Sequence, residues 1–344
     1  MKALILKKIC DLQYETSPLE LVEVSNPVPT DEEILVKISC CGVCHTELDE
    51  IEGRTPPSEF PMILGHQVVG HISALGDRAS KFKSGDRVGV AWIFSACGRC
   101  DYCIKGMENL CAEFRGTGRD VRGGYAQFMC VNEKFAYAIP KIFSDAEASP
   151  LLCAGAIGFR SLRLAIIQDG QTLGLSGFGA SGHLVLKMAR HLFPNTKIMA
   201  FARSQHEQDF ARSLGANWAG DFTDAPPDKA DAIIDTTPVW KTVVESLRNL
   251  KPGGRLIINA IRKENVDKDA LLTLSYQDHL WMEKEIKSVA NIARRDVQEF
   301  LELAAQIPIK PEIETYPFEK ANQALLDLKH KHVKGAKVLL MSQT

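Results

Sequence analysis

The run Leu173-Gly-Leu-Ser-Gly177-Phe-Gly179-Ala180-Ser181-Gly182 constrains this chain more than any other stretch. An apolar strand empties into glycines at G-x-G-x-x-G spacing, and an apolar-periodic segment from His183 to about Leu192 follows as a helix. The glycines permit a tight turn and let a pyrophosphate approach the backbone at a helix N-terminus, where unpaired N–H groups favour an anion. Taken alone, the pattern could also be a glycine-rich turn with no ligand. Its surroundings decide the fold: strands at Thr172–Ser176, Lys197–Phe201, Ala232–Asp235, Arg255–Ala260 and Glu285–Ala290 alternate with helical stretches. Such alternation predicts α/β architecture, a doubly wound parallel sheet with helices on both faces.

Before about residue 150 the rhythm is different. Short apolar runs at Ile34–Val36, Met62–Leu64, Val68–Ile72, Val88–Trp92 and Tyr125–Val131 are punctuated by Gly, Pro and Asp, as in an all-β domain. Two rhythms within 344 residues predict two domains. After them come helical spacing over Asp296–Gln306 and Ala321–Leu328 and a last strand at Lys337–Met341, a tail that can return to the first domain. The expected boundaries are 1–154 for the β-rich domain, 155–291 for the parallel-sheet domain and 292–344 for the return. No internal repeat or low-complexity tract is visible, and only Asp221–Lys229, with Pro226-Pro227, reads as a linker.

Charge excludes some partners. A formal net charge of −2 and a pI near 6.5 offer no basic footprint for nucleic acid or an anionic membrane. The apolar core of Met1–Lys8 has the length of a first strand and is short for a secretory signal, and no apolar run approaches the roughly 18 residues of a membrane span. A cytoplasmic location is therefore expected, where the 10 cysteines read as metal ligands before disulfides.

Four of those cysteines, Cys97, Cys100, Cys103 and Cys111, stand at C-x2-C-x2-C-x7-C spacing. One tight loop then carries four thiolates able to close a tetrahedron, for which zinc is the natural occupant. Gly98, Asp101, Lys105 and Gly106 give the lobe, 95–112, little apolar mass, so its order is expected to depend on metal. Such sites contribute on the order of 10 kcal/mol in small zinc peptides. An iron–sulfur cluster uses cysteine runs of similar density and stays open as an alternative. Four thiolates leave no open position, which makes the expected zinc structural.

A second set is dispersed. Cys41-Gly-Val-Cys44-His45-Thr46-Glu47 follows the strand Ile34–Ile38 and reads as a loop leaving it; Cys40, Cys41 and Cys44 could equally be buried structural thiols. His66 in Gly65-His66-Gln67 and Cys153 in Leu151-Leu-Cys153 are weak signals singly. Together, Cys44, His66 and Cys153 would make a Cys2His set with a fourth position free for water or substrate, as a catalytic zinc requires. Beyond the second strand of the parallel half, Ala202-Arg203-Ser204 stands where an acid would hold the adenosine ribose. Arginine and serine suit a 2′-phosphate, so NADP is expected over NAD, the alternative being that Arg203 stacks on adenine or faces solvent.

In this order, Gly-Val-Cys44-His-Thr, Gly65-His66, the four-cysteine lobe, Cys153 and Gly177-Phe-Gly-Ala-Ser-Gly182, the chain resembles the zinc-dependent alcohol dehydrogenases of the medium-chain dehydrogenase/reductase superfamily over nearly its full length. The resemblance implies a GroES-like β-rich catalytic domain interrupted by a Rossmann domain, with the active site in the cleft between them. It implies two zinc ions per chain, Cys44, His66 and Cys153 as catalytic-zinc ligands, Thr46 as the hydroxyl that takes the substrate proton, His45 near the pyrophosphate, and Trp92 and Phe94 lining the substrate pocket. Gln67 departs from the family's usual glutamate, Glu47 from its aspartate, and Glu52-Gly53 from the histidine that ends the proton relay in several relatives. The expected function is an alcohol dehydrogenase or aldehyde reductase acting on a small, apolar primary alcohol or aldehyde, in a homodimer or homotetramer. A polyol or sugar dehydrogenase is the nearest alternative. A non-enzymatic zinc or nucleotide-binding sensor, suggested by Gln67 and the spare thiols Cys10, Cys40, Cys41 and Cys130, is the alternative from another class.

Overall fold

The computed structural model describes residues 1–307, 309–330 and 335–341, and of Ala180 the backbone only. The chain forms two compact units, one of Met1–Cys153 with Ile292–Thr344, the other of Ala154–Asn291.

In the first unit the spine is the strand Glu33–Val43, whose burial alternates up to Cys40 and then becomes continuous. Its flanks explain the change. Val68–Leu75 pairs antiparallel with it from Ile34 to Cys41 and Phe128–Asn132 with its first half only, while Ala336–Leu340 pairs with its last residues, Lys337 opposite Val43. The C-terminal segment thus completes this sheet, which has seven strands among the described residues. The added pairing also corrects one expectation: Cys41–Glu47 is not a loop. The strand runs through Val43 and passes at Cys44 directly into the helix His45–Ile51, of which every residue from Thr46 to Ile51 is buried. A strand buried on both faces shows no polar alternation at its end, so its extent was invisible to pattern.

The second unit is a parallel sheet ordered Trp218–Gly220, Lys197–Phe201, Thr172–Ser176, Ala230–Asp235, Leu250–Ile258, Glu285–Ser288, six strands among the described residues. All five residues of Thr172–Ser176 are buried, as expected for a central strand covered on both faces. Met199, Phe201, Ile233, Val243, Leu247 and Leu256 form the core on one side. Strand order reverses between Thr172–Ser176 and Ala230–Asp235, the switch point at which open α/β sheets bind ligands beyond their carboxyl ends. Several boundaries differ from the pattern reading by two residues or more, two of them at glycines. The helix after the glycine turn starts at Ala180, enclosing Gly182, and the strand read from Arg255 starts at Leu250, through Pro252-Gly253-Gly254. Glycine and proline weaken the pattern there, yet tertiary pairing keeps the backbone extended.

Candidate metal centre and nucleotide turn

Cys44 caps the helix His45–Ile51 in an extended conformation, φ −130° and ψ 165°. Its amide donates to Glu47 Oε2 at 2.7 Å, the capping position three residues on. The other oxygen of that carboxylate, Oε1, lies 2.5 Å from His66 Nδ1, with both side chains fully buried. Glu47 thereby fixes the imidazole and leaves Nε2 to face the thiols. Gly65 brings His66 in at φ +96°, where a Cβ would fall 2.5 Å from the Tyr125 ring; only glycine fits both constraints. Cys153 sits in the π-helical turn Leu151–Gly155.

These elements bring the three dispersed residues together. His66 Nε2 is 3.3 Å from Cys153 Sγ, and Cys44 Sγ is 4.0 Å from Cys153 Sγ. All three donor atoms lie within 4.8 Å of one another. Tetrahedral zinc with bonds of about 2.0–2.3 Å needs donor atoms roughly 3.5–3.8 Å apart, so this set fits it. The thiols share a proton: Cys44 is pulled well below the usual thiol range, chiefly by the hydrogen bond from Cys153, and that same bond pushes Cys153 well above. Thr46 Oγ1 is 3.7 Å from Cys44 Sγ, and Thr46 is 9% exposed. His45 is exposed.

The four-cysteine lobe is a second cluster. Cys97, Cys100, Cys103 and Cys111 also converge within 4.8 Å, with Cys97 and Cys103 sulfurs 3.8 Å apart. Backbone amides point at its sulfurs: Cys100 N to Cys97 Sγ at 3.4 Å, and Glu113 N to Cys111 Sγ at 3.3 Å. Amides of Arg99 and Cys100 lower the Cys97 thiol to about 6, while burial raises Cys103 to about 12. Amide donors and a low thiol pKa favour thiolates, the form that binds metal. Arg294 anchors the lobe, 2.8 Å from Glu108 and over the Phe135 ring.

Trp92 is buried, stacked on Phe114 at 4.9 Å with Arg119 over its ring, and Phe94 is half-buried. In the second unit Gly177 takes φ +84° at the end of its strand, and a Cβ on Gly182 would lie 2.7 Å from Gly177 O. Gly179 is exposed, Ser181 is half-buried, and the side chain of Ala180 lies outside the described residues. Arg203 is exposed and has no side-chain partner among the described residues, whereas Ser204 caps the helix Gln205–Ser213 and donates Oγ to Glu207 at 2.9 Å.

Pattern reading missed two carboxyls. The double contact of Glu47 was foreshadowed only by its place three residues after a cap. Glu50, three further on, is fully buried with no hydrogen-bond partner for either oxygen among the described residues, and burial with the nearby Glu47 raises it well above the usual range. Glu52, by contrast, is held below that range: burial opposes its charge, but Lys329 and Arg54 both donate to it.

A three-donor thiolate–imidazole centre, a closed cysteine lobe and a Rossmann-type sheet in one chain define a zinc-dependent, dinucleotide-using oxidoreductase. Comparison with known proteins specifies it. Residues 30–141 match the alcohol dehydrogenase GroES-like domain, and residues 202–340 the zinc-binding dehydrogenase family. A probable alcohol dehydrogenase, AdhA, of Mycobacterium tuberculosis is 41% identical over 95% of this chain and 94% of its own. An alcohol dehydrogenase of Geobacillus stearothermophilus is 31% identical over 94% and 96%. The fold superposes on CAD from Helicobacter pylori, solved with NADP(H), with a TM-score of 0.86 over 100% of this chain and 98% of that one, at 23% identity. The chain belongs to the zinc-dependent alcohol dehydrogenases of the medium-chain dehydrogenase/reductase superfamily. It is an oxidoreductase that acts on small-molecule alcohols or their carbonyl products with zinc and a nicotinamide cofactor. Among the described residues, no helix is long and apolar enough to cross a membrane.

Proposed function

We propose that this dehydrogenase interconverts a small, apolar primary alcohol and its aldehyde, with Cys44, His66 and Cys153 holding the catalytic zinc and NADP preferred over NAD. The convergence of these three donor side chains, within 4.8 Å of one another, carries the reading. A second zinc belongs with the four cysteines of the lobe. The chemistry these groups supply when bound is Lewis-acid polarisation of the substrate oxygen and hydride exchange at the nicotinamide. The protein's own part is local. Glu47 holds His66 Nδ1, so that Nε2 faces the sulfurs. The Thr46 hydroxyl, beside Cys44, takes the proton that leaves the substrate hydroxyl and passes on its own. Trp92 and Phe94 supply apolar surface.

Support for NADP comes from Arg203, unpartnered among the described residues and with no acid beside it in sequence, and from the H. pylori relative solved with NADP(H). Ser204 adds little, because Glu207 already takes its hydroxyl. The strand Glu285–Ser288 ends the sheet, next to exposed Trp281 and Met282, and suits a homodimer or homotetramer built by edge pairing; a mass of one chain, 38.0 kDa, in light scattering overturns that. Cysteines assigned to metal suit a reducing cytoplasm. The direct test compares initial rates of reduction of a simple aromatic or medium-chain aldehyde with NADPH and NADH at equal, subsaturating concentration. Faster turnover with NADPH is expected; faster turnover with NADH overturns the role of Arg203, and no turnover with either overturns the substrate class.

A further inference from the structure

Lys263 follows the strand Leu250–Ile258 in a segment with exposed Ile261 nearby, yet its side chain is only 7% exposed. Its ammonium donates to Asp235 Oδ2, to Thr237 O at 2.8 Å and to Val239 O at 3.0 Å, which uses all three of its N–H groups. Asp235 is completely buried, and its other oxygen accepts from Ser176 Oγ at 3.0 Å, Thr237 Oγ1 at 2.9 Å and Thr242 Oγ1 at 3.1 Å. Ser176 and Asp235 are the last residues of neighbouring parallel strands and are paired in register. One carboxylate therefore ties two strand ends and the turn into the helix Lys241–Arg248, and Lys263 adds the segment after the next strand.

The turn so held forms the wall of the glycine motif. Thr236 N donates to Ser176 O at 2.9 Å, and Thr236 Oγ1 lies 3.2 Å from Ser176 O and 3.4 Å from Gly177 O. A Cβ on Gly177 would fall 2.7 Å from Thr236 Oγ1 and 2.9 Å from Thr237 Cγ2, so the side chains of the turn close against the Gly177 backbone. Stability alone is a weak reason for such an arrangement, since apolar replacements of buried ion pairs are often neutral or stabilising. What an apolar pair could not do is donate to Thr237 O, or to Val239 O beside its 3.0 Å contact from Thr242 Oγ1, and those carbonyls lie on the turn.

We propose that Asp235 and Lys263 are a positioning pair for the coenzyme, holding the Thr236–Thr237 turn against Gly177 so that the motif is formed before the dinucleotide arrives. Lys263 touches no ligand, as its donors are spent. The inference rests on Gly177–Gly182 being the pyrophosphate site.

The test measures dissociation constants of NADPH and NADH by nicotinamide fluorescence, together with Tm, KM and kcat, for the wild type, Lys263→Met and Asp235→Asn/Lys263→Met. The single variant leaves a buried carboxylate unpaired and is expected to lose stability. The double variant removes that charge and keeps the acceptor for Ser176, Thr237 and Thr242, so its Tm should return toward wild type. Its coenzyme affinity should not: a loss of about tenfold is expected for NADPH and NADH alike, read as a raised coenzyme KM with little change in kcat. Wild-type affinity in the double variant, or a loss confined to NADPH, overturns the inference. Failure of the wild type to bind either coenzyme overturns instead the assignment of the glycine turn, and this inference with it.

Discussion

The two cysteine centres of the first unit are made of similar atoms by opposite means. Cys97, Cys100, Cys103 and Cys111 come from one short loop, with backbone amides aimed at their sulfurs. Cys44, His66 and Cys153 come from a helix cap, a glycine corner and a π-helical turn, 109 residues apart at the extremes, and a carboxylate rather than an amide orients the ligating ring. Four local donors close a coordination sphere, whereas three distant ones leave it open. The lobe draws its donors from one local segment, and the dispersed site draws them from elements that only the fold brings together.

That contrast breaks first at its largest effect. Replacing Cys153 with Ala should cut turnover on the order of a thousandfold and lower zinc content from two ions per chain to one, while leaving Tm and coenzyme binding close to wild type. Retained turnover would remove Cys153 from the site. Replacing Cys103 with Ala should do the reverse: one zinc is again lost, but the loss appears as instability of several kcal/mol, short of the roughly 10 kcal/mol of isolated zinc peptides, with activity falling only as the protein unfolds. A stable variant whose kcat falls immediately would show that the lobe acts on the chemistry. The smallest effect sharpens the role of the carboxylate. Glu47→Gln keeps a similar shape and weakens the orienting bond to His66 Nδ1, so zinc release to a chelator from the three-donor site should accelerate about 10–100-fold while the lobe's zinc is unaffected. Equal acceleration at both sites would mean that Glu47 supports the unit as a whole.

The same contrast explains what could be read from the chain. C-x2-C-x2-C-x7-C is a local pattern, and its four sulfurs lie together. The parallel sheet was also legible, because Thr172–Ser176 and Lys197–Phe201 are short runs with no charged residue beyond Lys197, bounded by turns. Cys44, His66 and Cys153 carry no mutual spacing, so donor chemistry alone offered them only as a possible set, and a family resemblance was needed to single them out. The buried end of Glu33–Val43 escaped because its partner strand, Ala336–Leu340, lies some 300 residues away. The Asp235–Lys263 pair escaped for the same reason: neither residue stands in a motif, and a lysine in a polar segment reads as solvated until the strand ends are assembled around it.

The most direct test of the division between the two centres is the visible absorption spectrum of the protein with cobalt(II) in place of zinc, recorded before and after a small primary alcohol is added. Cobalt reports its coordination through its visible bands, and only an open site can take a new ligand. The alcohol should shift one set of bands, absent from Cys153→Ala, and leave the four-thiolate set, absent from Cys103→Ala, unmoved. A shift of the four-thiolate bands, or an alcohol response that survives in Cys153→Ala, would contradict the assignment of an open centre to Cys44, His66 and Cys153.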